Sequence, residues 1–183
     1  MRIIAGEWRG RRLAALGKGD AKSHLRPTTD RTRESLFSIL QGGRFGDVIS
    51  DAKVLDLFAG TGALGLEALS RGANQATFVE KNRAALALLQ ENLQNLKANG
   101  TILKSDATKL PRGDAADLVF LDPPYGKKLG EMALNSAAQS GRLTSGAFVV
   151  WEENSTQLPP HGFSKVEERK FGDTWITFLT YEA

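Results

Sequence analysis

Asp122-Pro123-Pro124-Tyr125 directly follows the apolar run Leu118-Val119-Phe120-Leu121, the position at which a buried strand ends. Ligands of open α/β sheets bind at that edge. Two successive prolines remove two backbone donors and hold the chain extended, so the Asp122 carboxylate, the Pro123 carbonyl and the Tyr125 ring keep little freedom. Two acceptors beside an aromatic plate suit a flat base that carries an amino group. Taken alone, the same four residues equally fit a proline-rich strand exit with a core tyrosine.

A second group lies upstream. Val54-Leu55-Asp56-Leu57-Phe58 reads as a buried strand and runs into Ala59-Gly60-Thr61-Gly62-Ala63-Leu64-Gly65, then into an apolar helical pattern through Leu66 and Leu69. Gly60 and Gly62 permit a tight turn with ligand against bare backbone, and Gly65 permits close packing of helix on strand. A nicotinamide dinucleotide or a plain turn would use the same spacing. An acid about twenty residues further on is expected for ribose recognition, and Glu80 supplies it at the end of Ala76-Thr77-Phe78-Val79.

The elements that must position these groups follow from apolar period. Strands are expected at 54–58, 76–80, 101–104, 117–121 and 147–151, and helices at 63–71, 82–97 and about 128–140. Leu86, Leu89, Leu93 and Leu96 form a core stripe between an Asn82 cap and Asn99-Gly100. Thr28 to Asp30 offer caps for an earlier helix carrying Leu36, Phe37 and Leu40 to Gly42-Gly43, and residues 163–171 and 174–181 flank Gly172-Asp173 as an antiparallel hairpin. Such alternation predicts an α/β fold, a doubly wound, mostly parallel, seven-stranded sheet. Residues 1–25, with short apolar pieces among Gly and Arg, are expected to form a small basic strand or hairpin extension to the domain of residues 26–183.

The 183 residues, 41% hydrophobic, suffice for one core. No apolar run reaches the length of a membrane span, and the arginines near the N-terminus do not fit a signal peptide, so a cytoplasmic protein is expected. Cysteine is absent, and His24 and His161 lie in no ligand spacing, which leaves no basis for a metal site, a disulfide or a thiol nucleophile. The net charge of +3 conceals an asymmetry: residues 1–33 hold nine Lys/Arg against three Asp/Glu, and the remainder is net acidic. A basic end on an acidic body points to a polyanionic partner, most simply nucleic acid; a solvated face is the alternative.

The Asp56 to Gly62 loop, Glu80, Ser105-Asp106-Ala107 and the Asp-Pro-Pro-Tyr motif occur in the order and approximate spacing of class I S-adenosylmethionine-dependent methyltransferases, which this chain resembles. A dehydrogenase explains only the first two. Across nearly the whole chain the resemblance extends to the RsmD family of ribosomal RNA guanine-N2 methyltransferases. Met1 to Gly6 with Arg9-Gly10-Arg11, and Arg26-Pro27-Thr28-Thr29-Asp30-Arg31 with Arg33 to Phe37, look like that family's N-terminal signature. Two departures stand out: the stretch around Leu16-Gly17-Lys18 lacks a proline common in relatives, and Trp151-Glu152-Glu153 is richer in acid than the pattern expects.

The resemblance implies a Rossmann-like fold and methyl transfer to the N2 amine of a guanine in 16S ribosomal RNA, guanine 966 in the family pattern. It implies S-adenosylmethionine held by Asp56, Gly60, Gly62, Glu80, Asp106 and Ala107, and an amine oriented by Asp122, Pro123 and Tyr125. Candidates for phosphate contact are Arg9, Arg11, Arg12, Arg26, Arg31 and Arg33. A monomer acting on ribosomal RNA within an assembling small subunit, with no metal and no membrane, is the expected setting. An amino-methyltransferase of adenine or cytosine and a non-catalytic RNA-binding protein on the same fold are the competing readings.

Overall fold

The alternating apolar periods build the elements they dictate in the computed structural model, which describes residues 1–15, 30–124 and 128–183. In chain order these are α1 (Asp30–Gly42), β1 (Lys53–Leu57), α2 (Ala63–Ser70), β2 (Gln75–Glu80), α3 (Arg83–Leu96), β3 (Gly100–Lys104), β4 (Ala116–Leu121), α4 (Leu129–Gln139), β5 (Leu143–Glu153), β6 (Phe163–Phe171) and β7 (Thr174–Tyr181). Helix α3 illustrates the local logic. The Asn82 side chain accepts from the Ala84 and Ala85 amides, relieving two of the unpaired donors at a helix start. The α3 stripe of Ala85, Leu89, Leu93 and Leu96 is buried, each leucine contributing about 1.5–3 kcal/mol of transfer free energy, and Lys97 in the left-handed region ends the helix.

The strands form one seven-stranded sheet in the order β3-β2-β1-β4-β5-β7-β6. The first five are parallel, and β7 runs antiparallel to both β5 and β6. Strand β5 begins at Leu143 rather than 147, because a register shift between Ala116 and Leu118 and the left-handed backbone of Gly146 let it bend and keep pairing. On one face Val54, Phe78, Phe120, Val150 and Phe178 pack against α1, α2 and α3; on the other, Leu55, Leu121, Trp151 and Leu179 pack against α4. The chain goes from β1 outward to β3, then returns to place β4 on the opposite side of β1. That reversal opens the crevice, at the carboxyl ends of β1 and β4, where open sheets take their ligands.

Residues 1–14 close into a hairpin, with Arg2 bridging Arg12 and the Ile3 and Leu13 amides bonded across it to Arg11 and Met1. Its apolar residues, Ile3 and Leu13, join the same core cluster as the sheet, so the hairpin is docked rather than loosely appended. The boundary expected at residue 25 lies outside the described residues. The dock is the C-terminal half of α2. Glu67 accepts the Ile4 and Ala5 amides at 2.8 and 3.0 Å, and the Ser70 hydroxyl donates to the Ala5 carbonyl while accepting the Trp8 amide. Gly6 lies so close that a Cβ there would fall 1.7 Å from the Ser70 carbonyl oxygen. Among the described residues no helix is long and apolar enough to cross a membrane.

Candidate active site at the sheet crevice

Strand alternation and register bring the acids together. Asp56 is level with Phe78 on β2 and Phe120 on β4, and Phe120 is level with Val150 on β5. Two residues beyond these partners stand Glu80, Asp122 and Glu152. Because side chains two apart share a face, four carboxylates from four adjacent strands gather on the side of the sheet covered by α1, α2 and α3.

The loop between β1 and α2 depends on glycine. Gly60 and Gly62 take φ values of 57° and 83°, a region that costs an L-residue strain. A Cβ on Gly62 would sit 2.5 Å from Leu89 Cδ1, and one on Gly65 would sit 2.4 Å from Phe78 and 3.0 Å from Asp56 Oδ2. Both contacts are with packed core. At Gly60, by contrast, a Cβ would enter open space, so glycine there serves the turn and leaves the backbone bare. Helix α2 starts at Gly62 with no side-chain cap, which leaves its positive end to the crevice.

Each acid has a different environment. Asp56 is buried and accepts the Gly65 amide at 2.9 Å. Burial outweighs that bond and, with Glu80 nearby, pushes its carboxyl up to about 7. Glu80 is half-buried; one of its oxygens accepts the Gly60 amide at 2.9 Å and the other the Lys81 and Asn82 amides at 2.8 and 2.7 Å. It therefore ties the glycine loop to the start of α3. Asp106, just after β3, accepts the Thr108 amide and hydroxyl and pairs with Lys81 at 2.8 Å. The Lys81 bond, followed by the Thr108 bonds, pulls its carboxyl down to about 2. Ala107 beside it is buried among Leu55, Leu57 and Leu121.

Asp122 lies one residue beyond β4 and retains partial access to solvent. Burial, then the charges of Glu152, Asp56 and Glu153, holds its carboxyl well above the usual range. Glu152 and Glu153 are themselves buried at the end of β5, so the acid-rich segment noted in the sequence is the direct electrostatic neighbour of Asp122. Pro123 is buried and Pro124 exposed; Tyr125 lies outside the described residues. Behind this corner Trp151 packs against α4 at Gly130, where a Cβ would come within 2.4 Å of the indole.

The model of the family described as Conserved hypothetical protein 95 matches residues 1–180. The chain is 42% identical to Ribosomal RNA small subunit methyltransferase D of Escherichia coli K12, over 100% of this chain and 91% of that one. It is 37% identical to the Haemophilus influenzae protein of the same name, over 94% of this chain and 89% of the other. The solved YhhF structure from Escherichia coli superposes with a TM-score of 0.85 at 40% identity, covering 100% and 98% of the two chains.

The chain belongs to the RsmD family of methyltransferases. As that kinship leads one to expect, the sheet is Rossmann-like with antiparallel C-terminal strands. The arginines of this RsmD-family member divide, however. Arg9, Arg11, Arg12 and Arg31 are exposed, with Arg11 donating to the Asn95 carbonyl at 3.0 Å; Arg26 lies outside the described residues. Arg33 must be removed from the phosphate candidates. Only 1% exposed, it bonds Asp30 and the Arg2 carbonyl, each at 2.8 Å, and approaches Glu67 at 3.7 Å. The sequence carried the signal, since positions 33, 36, 37 and 40 share one helical face. Glu67 and Asn92 were likewise missed, although each is a polar residue set into an otherwise apolar stripe.

Proposed function

We propose that this protein transfers a methyl group from S-adenosylmethionine to the N2 amine of a guanine in 16S ribosomal RNA, with guanine 966 as the position the family pattern implies. The observation that carries the reading is the convergence of Asp56, Glu80 and Asp122 on one face of the crevice, below a glycine loop with bare backbone. The names of the full-length relatives support ribosomal RNA as the substrate.

The donor set fits the cofactor. S-adenosylmethionine supplies an electrophilic methyl group on a sulfonium, beside an amino-acid end with its own cation. A buried acid that among the described residues is paired with no cation, Asp56, suits that ammonium; Gly60, open on its Cβ side, suits close approach of the rest, and Gly62 holds the turn against the core. Glu80 would accept from ribose hydroxyls, and Asp106 with the Ala107 backbone would bracket the adenine. The Lys81 pairing leaves Asp106 ionised throughout the neutral range.

The amine of guanine is a poor nucleophile because its lone pair is conjugated into the ring. In this reading Asp122 and the Pro123 carbonyl accept its hydrogens and turn the lone pair out of the ring, and Tyr125 stacks on the base. Guanine presents N1–H beside the amine, so an acceptor-only carboxylate suits that edge. Those donors also favour the ionised form of Asp122 against the field of Glu152 and Glu153. The base must leave its stack to reach this point, at a cost of a few kcal/mol that is least in a loop; contacts from Arg9, Arg11, Arg12, Arg26 and Arg31 would offset it. Nucleoside mass spectrometry after reaction with isotopically labelled cofactor tests the proposal. Labelled N2-methylguanosine at a single position is expected, and labelled N6-methyladenine or N4-methylcytosine in its place would overturn it.

A further inference from the structure

Asn92 sits inside the apolar stripe of α3 and is 1% exposed. Its amide spends both donors and one acceptor lone pair on two distant pieces of backbone. The oxygen accepts the Ala14 amide at 2.7 Å, and the nitrogen donates to the Ala14 carbonyl at 3.2 Å and to the Thr61 carbonyl at 3.0 Å. Thr61 stands between the two loop glycines. Ala14 is where the N-terminal hairpin leads on toward the basic stretch that contains Arg26. One turn earlier on α3, Leu89 lies against Gly62, and one turn later the Asn95 carbonyl receives Arg11. A single helix face therefore grips the cofactor loop and the root of the basic segment side by side.

We propose that Asn92 is a positioning residue that couples the two sites, so that occupation of the glycine loop strengthens RNA binding and RNA binding strengthens cofactor binding. The inference rests on the reading of the loop as the cofactor site and of the N-terminal arginines as RNA contacts. Its physical basis is the shared amide. Buried polar groups lose considerable free energy when unpaired, so a loop conformation that keeps Thr61 bonded to Asn92 also keeps the amide aligned for Ala14. Coupling of this sort is reciprocal. A fastening role alone would affect stability without linking the two affinities.

The test uses S-adenosylhomocysteine as an unreactive probe and a transcript of small-subunit ribosomal RNA, with the full chain. In the wild type the transcript should tighten S-adenosylhomocysteine about 5-fold or more, the lower end of usual coupling. In Asn92→Ala that factor should fall to about one. Asn92→Asp retains an acceptor for the Ala14 amide and loses both donors, so it should fall likewise if the Thr61 bond carries the link. Hydrogen exchange in the wild type serves independently of whether either variant folds: the probe should slow exchange at the Ala14 amide as well as at residues 60–65. A wild-type factor of one, an unchanged factor in a folded variant, or protection confined to 60–65 overturns the coupling. If S-adenosylhomocysteine does not bind the wild type, the cofactor reading itself falls.

Discussion

Asp56 and Glu67 are buried acids at either side of the same loop and helix, yet their surroundings are opposite. Glu67 is completely enclosed but meets Arg71 at 2.7 Å, Arg33 at 3.7 Å and two hairpin amides. Asp56 has one amide, a neighbouring acid and, among the described residues, no cation. Burying a charge is costly unless it is paired. A chain that pairs one acid so thoroughly and leaves another uncompensated eleven residues away sets the acids that fasten the fold apart from those proposed to meet a ligand. Asp122, held high by burial and by Glu152, belongs with Asp56.

The largest expected effect tests the uncompensated side. Asp122→Ala should lower the single-turnover methyl-transfer rate by about 10³-fold, the upper range for removal of one stabilising contact, while S-adenosylmethionine affinity stays within a few-fold and stability does not fall. A large loss of cofactor binding with a normal chemical rate would move Asp122 out of its assigned role. On the paired side, Glu67→Ala leaves buried arginines without their acid and should cost about 3–5 kcal/mol of stability in urea denaturation. A loss below about 1 kcal/mol would erase the contrast on which the comparison stands.

Glu80→Ala should weaken cofactor binding by roughly 1.5–3 kcal/mol, the range for hydrogen bonds to a charged acceptor. Calorimetry reads this directly, and unchanged affinity excludes the ribose role. The Asp56 prediction concerns pH. With its folded-state pKa raised to about 7 above an unfolded value of about 3.9, the native state binds more protons between those limits. Stability should therefore decline as pH rises through that window, by up to about 1.4 kcal/mol per unit. Asp56→Asn should flatten the decline, and an identical profile in the variant would place the effect elsewhere. The smallest effect separates two cations. Arg31→Ala should reduce the salt slope of RNA binding by about one, whereas Arg33→Ala should lower the melting temperature; equal salt slopes for wild type and Arg31→Ala would remove Arg31 from the interface.

Most of the strands and helices were legible because their apolar periods are clean and their ends are marked by Asn82, Gly72 and Gly42. The positions of the candidate site were legible as far as motifs extend along the chain: Asp56 with its glycines, Glu80 and Asp122 are each two residues or fewer from an identifiable strand end. What escaped was pairing across the chain. Arg33 looked like one more basic residue until α1 turned it against Asp30 and Glu67, and charge counts carry no information about which face a residue occupies. Glu152 was noted only as excess acid. Its effect on Asp122 arises from strand register, which local sequence does not specify.

Strand order also sets a schedule for synthesis. By residue 104 the ribosome has released β1, β2 and β3, but β1 borders β4 in the finished sheet. Until residues 116–121 emerge, the Val54 to Leu57 edge offers unpaired amides and carbonyls flanked by apolar side chains, a template on which a neighbouring nascent chain can add a strand. The seam at the candidate active site is thus closed only after β1, β2 and β3 are already available to pair, and the half-made molecule is open to misassembly at the very crevice proposed to take the ligand.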